Sequence, residues 1–231
     1  MPDDNQDKPK NLIPNLGAAV LCGGKSSRLG IDKTRLDFKG RTFLEQVVQQ
    51  VRQVCSQVVI VGDTDLSFHQ LPDDVWVACD EADDKGPLEG IRVGLERLAN
   101  AENEQGGCEF AFVTSCDVPP LQPALIGYLF EQLNGGSAVV PLQGDRVFGM
   151  TAIYRTRFHV EIGNRIKAGQ LRVSELATAF DARCIDSETL RKIDPDLDSL
   201  TNINSVDDYR NLLKRLELEC PPELAKAIGL D

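Results

Sequence analysis

Apolar residues along this chain fall into short continuous runs that alternate with stripes at helical spacing. The first run, residues 17–21 (Gly-Ala-Ala-Val-Leu), is short and unbroken, as a buried strand is. Thr42 with Glu45 three residues later marks a capping box. Phe43, Leu44, Val47, Val48, Val51 and Val54 then share one helical face, with glutamines opposite. Runs at 58–61, 75–79 and 110–113 read as further strands, the last continuous enough to be central. Between the latter two, Pro87 suits the first turn of a helix that carries Leu88, Ile91, Leu95 and Leu98 on one side. A second Pro-started helix is predicted from about residue 123 to 133. Strands at 138–141 and 151–154 are joined by the loop around Gly144-Asp145-Arg146. Helical stretches at 158–167 and 173–180, a short strand at 182–185, and a helix capped by Ser205 and Asp208 and running to Leu216 complete the pattern.

Strands alternating with helices predict a Rossmann-like, three-layer α/β/α fold around a mostly parallel central sheet. Residues 1–14 are polar and Pro-bearing, and read as a disordered N-terminal tail. No linker interrupts the rest, so one domain is expected over 15–217, with a C-terminal extension over 218–231. In open α/β sheets, ligands lie beyond the carboxyl ends of the strands. The loop at Gly23, the turn at Asp80 and the turn at Asp117 all follow strands. Three polar sites far apart in sequence are therefore expected to converge on one edge.

Composition narrows the function classes. The 231 residues suffice for one α/β domain with a sizeable core, and 42% hydrophobic with 26% charged residues is ordinary for a globular protein. A formal net charge of -11 argues against a general nucleic-acid binder, which needs a basic surplus to replace phosphate counterions. A local cationic cluster can still sit inside an acidic surface. Seven cysteines with no C-x-x-C pair point to free, buried thiols in a reducing compartment. No stretch approaches the roughly 18 apolar residues of a membrane span, and the first fifteen residues lack a signal-peptide core. A cytoplasmic protein that binds neither nucleic acid nor membrane is expected.

The candidate chemistry begins at residues 21–33, LCGGKSSRLGIDK. Adjacent glycines let backbone N–H groups at Gly23 and Gly24 approach a polyanion, and Lys25, Arg28 and Lys33 bring the neutralising charge. The spacing excludes a Walker loop, whose first glycine would fall on Ala19, and no GxGxxG is present. The bland alternative is a solvated turn with surface cations. Asp117 ends an apolar strand and precedes Val118-Pro119-Pro120, a poor place for a core carboxylate and a good one for a magnesium ligand. Its alternative role, a helix cap, is weakened because the next helix starts at Pro123. Asp80 reads as a nucleotide contact or a turn residue. Asn202 and Asn204 read as site residues or as shapers of the turn before a capped helix. Arg172 is either a bidentate phosphate ligand or a surface arginine. His69 and His159 lie outside every motif.

The pattern GGxSxRxGxDK after a strand resembles the signature loop of nucleotidyltransferases that join an NTP to a phosphorylated acceptor. The fuller wording LxGGxSxRxGxDK is most similar to the molybdenum cofactor guanylyltransferase family. The likeness runs through five ordered segments between residues 16 and 216, including Asp80 with GPLxG at 86–90, SCDVPP around Asp117, RVSEL at 172–176 and the NxN of Asn202 and Asn204. It implies a sheet of the nucleotide-diphospho-sugar transferase type. It implies catalytic roles for Arg28, Lys33 and Asp117, and nucleotide contacts from Leu21, Cys22, Gly23, Gly24, Lys33, Asp80 and Asp117. Mg²⁺ would sit on Asp117, while Arg172, Asn202 and Asn204 would serve the acceptor side, the asparagines near metal and phosphates. The implied reaction transfers GMP from GTP to molybdopterin or Mo-molybdopterin, releasing pyrophosphate, with molybdoenzymes or their chaperones as possible recipients of the product. Two departures stand out. Val61-Gly62-Asp63 replaces an asparagine common after the second strand, and Arg146-Val147-Phe148-Gly149-Met150 replaces a proline-containing acceptor loop. Cys22 stands where alanine is common and reads as simply a small residue there; the alternative is a thiol beside the nucleotide that makes the enzyme sensitive to alkylation. CTP or another NTP with a different cofactor or sugar phosphate remains an alternative, as does a non-catalytic nucleotide-binding module.

Overall fold

In the computed structural model, residues 12–23, 32–62, 69–79, 86–100 and 106–229 are described. Among the described residues, ten strands form in chain order: β1 (Ile13–Leu21), β2 (Asp37–Phe38), β3 (Arg41–Thr42), β4 (Cys55–Val61), β5 (Trp76–Ala78), β6 (Phe110–Ser115), β7 (Ala138–Gln143), β8 (Arg146–Val147), β9 (Ala152–Arg155) and β10 (Arg183–Asp186). The α-helices are α1 (Phe43–Val51), α2 (Pro87–Ala99), α3 (Pro123–Glu131), α4 (His159–Lys167), α5 (Leu176–Ala179), α6 (Ser187–Leu190), α7 (Val206–Arg215) and α8 (Pro222–Ile228). The main sheet runs β10-β7-β9-β6-β1-β4-β5, with β8 attached to β7 and a separate β2–β3 hairpin. β9 is antiparallel to β6 and β7, whereas β1, β4, β5 and β6 are mutually parallel, as are β7 and β10. The expected mostly parallel sheet is therefore present.

The central strands β1, β4 and β6 are largely buried on both faces, and alternation assigns each side chain to one layer. Ala18 and Val20 join Val58, Ile60 and Phe112 beneath α1 and α3. Ala19 and Leu21 join Val59, Val61 and Val113 beneath α2, α4 and α5. The second layer is thin where α2 crosses β1, because a Cβ on Gly94 would lie 2.6 Å from the Cβ of Ala19. Both expected capping boxes form, Thr42 with Glu45 and Ser205 with Asp208.

Several boundaries depart from the sequence expectation. β1 starts at Ile13, inside the segment read as a tail: the Ile13 N–H donates to Val54 O at 2.8 Å, and the pairing with β4 shifts register between Ile13 and Gly17. The helix expected at 173–180 is a single 3-10 turn, Val173–Glu175, followed by the short α5. The C-terminal residues form α8, which packs into a third cluster. That cluster gathers Leu36, Phe38, Phe43, Ile203, Tyr209, Leu212, Leu213 and Ile228. All seven cysteines are free, but Cys79 and Cys184 are exposed and Cys220 is half-buried, so the expectation of buried thiols holds only for the other four. The exposed pair occupies the edge strand β10 and the residue after the other edge strand, β5. No helix among the described residues is long and apolar enough to cross a membrane.

Strand order also sets where a site can form. From β1 the chain moves outward through β4 to β5, then returns to place β6 on the other side of β1. The carboxyl ends of β1 and β6 therefore flank a topological switch point, the place where open α/β sheets bind ligands.

Candidate active site

Leu21 and Ser115 are the last registered pair of β1 and β6, so the segments that follow leave the sheet side by side. The Cys116 N–H donates to Leu21 O at 3.0 Å and the Cys22 N–H to Val61 O at 2.7 Å. Cys22 and Gly23 are described; Gly24 and Arg28 lie outside the described residues, as does Asp80. The chain is described again at Asp32, whose Oδ1 accepts the Thr34 N–H at 2.9 Å and caps a single 3-10 turn, Lys33–Arg35. This cap sets the direction from which Lys33 reaches the switch point.

There Lys33 Nζ donates to Asn204 Oδ1 at 2.6 Å and lies 3.5 Å from Asp117 Oδ2. The other carboxylate oxygen, Asp117 Oδ1, accepts from Asn202 Nδ2 at 2.8 Å and from the Ser115 hydroxyl. Asn202 Nδ2 also lies 3.3 Å from Ser115 Oγ. The Asp117 backbone is held too, its carbonyl accepting the Ile203 N–H at 2.9 Å. One oxygen of the carboxylate is thus occupied by neutral donors while the other faces a cation. The side chains of Lys33 and Asp117 are 21% and 13% exposed, so a ligand can reach both while water is partly displaced.

Four sequence candidates, Lys33, Asp117, Asn202 and Asn204, therefore meet at one place. The asparagines, expected on the acceptor side, bond directly to the carboxylate and the lysine. Arg172 is exposed and precedes the 3-10 turn at Val173, with no ion pair to any described residue. Its neighbour Val173 packs on the loop before β9: a Cβ on Gly149 would lie 2.6 Å from Val173 Cγ1, and Tyr154 Oη donates to Gly149 O at 2.9 Å. Because Ala152 pairs with Val113, this loop lies at the same end of the sheet as Asp117. The GPLxG segment acts on packing: Gly86 takes φ 64°, Pro87 opens α2, and Gly90 lets the helix approach Leu21.

Sequence reasoning passed over Ser115, Gly62 and Cys116. Ser115 and Asp117 are two apart at a strand end and so face the same way, which was the available signal. Gly62 follows β4 with φ 149°, and a Cβ there would lie 2.2 Å from the carbonyl oxygen of Cys22. The neighbouring Cys116 thiol, burial and the negative charges of Asp32 and Asp117 push the Cys22 thiol well above its ordinary range. Cys22 is 3% exposed, so burial limits the access of a bulky alkylating reagent to its sulfur.

Asp117 Oδ2 and Asn204 Oδ1 are hard oxygen donors, the kind that Mg²⁺ or a similar divalent ion takes alongside water and substrate oxygens. Among the described residues no group of three His, Cys, Asp or Glu gathers, as a soft or all-protein metal cage would require. A carboxylate beside an ammonium, at the switch point of the sheet, is suited to phosphoryl chemistry driven by positioning and charge.

Comparison with known proteins is consistent with this geometry. The profile of the MobA-like NTP transferase domain matches residues 18–185. The chain is 31% identical over 209 residues to a probable molybdenum cofactor guanylyltransferase of Methanosarcina mazei, covering 85% of this chain and 89% of the relative. It is also 31% identical over 191 residues to the molybdenum cofactor guanylyltransferase of Desulfosudis oleivorans, covering 82% and 90%. The crystal structure of molybdopterin-guanine dinucleotide biosynthesis protein A from Archaeoglobus fulgidus shares the fold. Its TM-score is 0.69 at 22% identity, over 87% of this chain and 98% of that one.

Proposed function

We propose, from the premise that the chain belongs to the MobA-like NTP transferase family, that it is a molybdenum cofactor guanylyltransferase. It transfers GMP from GTP to molybdopterin or Mo-molybdopterin and releases pyrophosphate. The names of its relatives support the substrates, and the meeting of Lys33, Asp117, Asn202 and Asn204 at the switch point is the observation that carries the chemistry.

In this reading an oxygen of the acceptor's terminal phosphate attacks the α-phosphorus of GTP in line as pyrophosphate leaves. The backbone N–H groups of Gly23 and Gly24, together with Arg28, bind the triphosphate. Lys33 neutralises the charge that builds on the phosphate oxygens, and Asn204 holds its ammonium in place. Asp117 would hold Mg²⁺ through the oxygen that faces Lys33, while Ser115 and Asn202 keep the other oxygen occupied. When bound, the ion supplies positive charge to the phosphates. Leu21 and Cys22 shape the floor of the nucleotide site, Asp80 contacts the nucleotide, and Arg172 meets the acceptor phosphate. The product passes to molybdoenzymes or to chaperones that load them.

Lys33→Ala and Asp117→Ala each test the central pair. Turnover in the GTP and molybdopterin assay is expected to fall by about 100-fold or more, as when a preorganised charge is removed from an active site. Circular dichroism and melting temperature should stay near wild type. Wild-type turnover in either variant would remove that residue from the mechanism.

A further inference from the structure

We propose that Cys22 and Cys116 form an oxidisable thiol pair whose disulfide bridges the two active-site turns and switches the enzyme off. The placement follows from the sheet. Leu21 and Ser115 are registered partners, and the Cys116 N–H donates to Leu21 O at 3.0 Å. Cys22 and Cys116 are the next residues on adjacent parallel strand ends. Such neighbours lie about 4.8 Å apart, inside the Cα separation of about 4.4–6.8 Å that a disulfide accepts. By strand alternation both point away from Asp117, into the same core layer. Cys55 and Cys108 provide a contrast: their side chains belong to different core clusters, on opposite faces of the sheet. Neither sulfur is assigned a chemical step in the proposed transfer reaction, in which Cys22 only helps shape the floor of the nucleotide site.

The oxidant required is a hydroperoxide. Both residues are buried, Cys116 at 7% and Cys22 at 3% exposure, and Cys116 is taken as the attacking thiol. Its sulfur attacks one peroxide oxygen, the O–O bond breaks, water or an alcohol leaves, and a sulfenic acid forms. The Cys22 sulfur then displaces the sulfenic hydroxyl, which leaves as a second water. Two thiols lose two electrons and two protons in all, and the peroxide takes up both. A dithiol reductant reverses the step by exchange. Asp117 is the residue after Cys116 in the chain. Drawing the two sulfurs into a bond displaces the turn that carries the carboxylate, and a shift of about 1 Å at such a site can cost about 100-fold in rate. The bond itself does not depend on the proposed function; the loss of turnover rests on that reading.

The test exposes the folded full-length chain to hydrogen peroxide, blocks remaining thiols with iodoacetamide, and maps peptides without reduction. The expected result is one linked pair of peptides containing Cys22 and Cys116, short of two hydrogens, formed while the protein remains folded. Turnover should fall by about 100-fold and return with dithiothreitol. Cys116→Ser and, as a second variant, Cys116→Ala should retain turnover and resist peroxide. A reduced Cys22–Cys116 pair in fully folded, peroxide-treated protein would overturn the proposal, as would equal inactivation of the Cys116 variants. A linked pair with undiminished turnover would overturn the switch. If the pair links but no guanylyl transfer occurs under any condition, the thiol chemistry stands and the functional reading fails.

Discussion

Asp117 illustrates how much of a residue's role lies in the residues that hold it. Its Oδ1 accepts from Ser115 and Asn202, which leaves Oδ2 as the oxygen presented to Lys33 and to a metal. A hydrogen bond to a charged group is worth about 1.5–3 kcal/mol, so Ser115→Ala should slow transfer by roughly 10- to 100-fold. It should also raise the Mg²⁺ concentration needed for half-maximal binding, read by calorimetry without turnover, and Ser115→Thr should recover most of both. An unchanged Mg²⁺ isotherm in the alanine variant would remove Ser115 from this role. Lys33 and Asp117 were legible because a cation after a glycine loop and a carboxylate after an apolar strand are out of place in a core. The asparagines were legible as a pair but not in their bonds. Asn202 and Asn204 share a face of an extended segment while Ile203 between them turns into the third cluster, and only the folded chain shows what that face meets.

Among elements, the buried strands were legible and the short connectors were not. β4 and β6 read as continuous apolar runs because both of their faces are covered. The 3-10 turn at Lys33 and the β2–β3 hairpin span two or three residues each, too few to carry a period. The start of β1 was obscured by Pro14 and by Asn15, which takes φ 61° at the register shift, the setting in which a strand tolerates both. Gly62 connects an element to the site, since its backbone conformation and its contact with the Cys22 carbonyl both exclude a side chain. Gly62→Ala should lower stability by roughly 1–3 kcal/mol and weaken nucleotide binding together, because relief of the clash must move the start of the glycine loop. Denaturant melts and nucleotide titration measure the two effects. A variant with wild-type stability would show that the turn repacks freely.

For the whole molecule, the third cluster ties distant parts of the chain to the site. It joins the segment after Lys33 through Leu36 and Phe38, the asparagine segment through Ile203, and the C-terminal helices through Tyr209 and Ile228. Tyr209 Oη donates to Asp37 O at 2.8 Å, and Phe43 meets Tyr209 edge-on with ring centroids 5.8 Å apart. This long-range convergence could not be read from local pattern, which treated the C-terminal residues as an extension. Deleting residues 218–231 removes the buried Ile228 and the partly buried Leu218 and Leu224. At about 1.5–3 kcal/mol for a fully buried side chain of this size, the melting temperature should drop by roughly 5–10 °C. An unchanged melting temperature would show that α8 adds nothing to the fold.

The most direct measurement is pyrophosphate release with freshly prepared molybdopterin and Mg²⁺, comparing GTP, CTP, ATP and UTP. Release with GTP alone, dependent on molybdopterin and abolished by chelation of the metal, is the result that guanylyl transfer requires. Release with CTP in place of GTP, or equal release without molybdopterin, would contradict it.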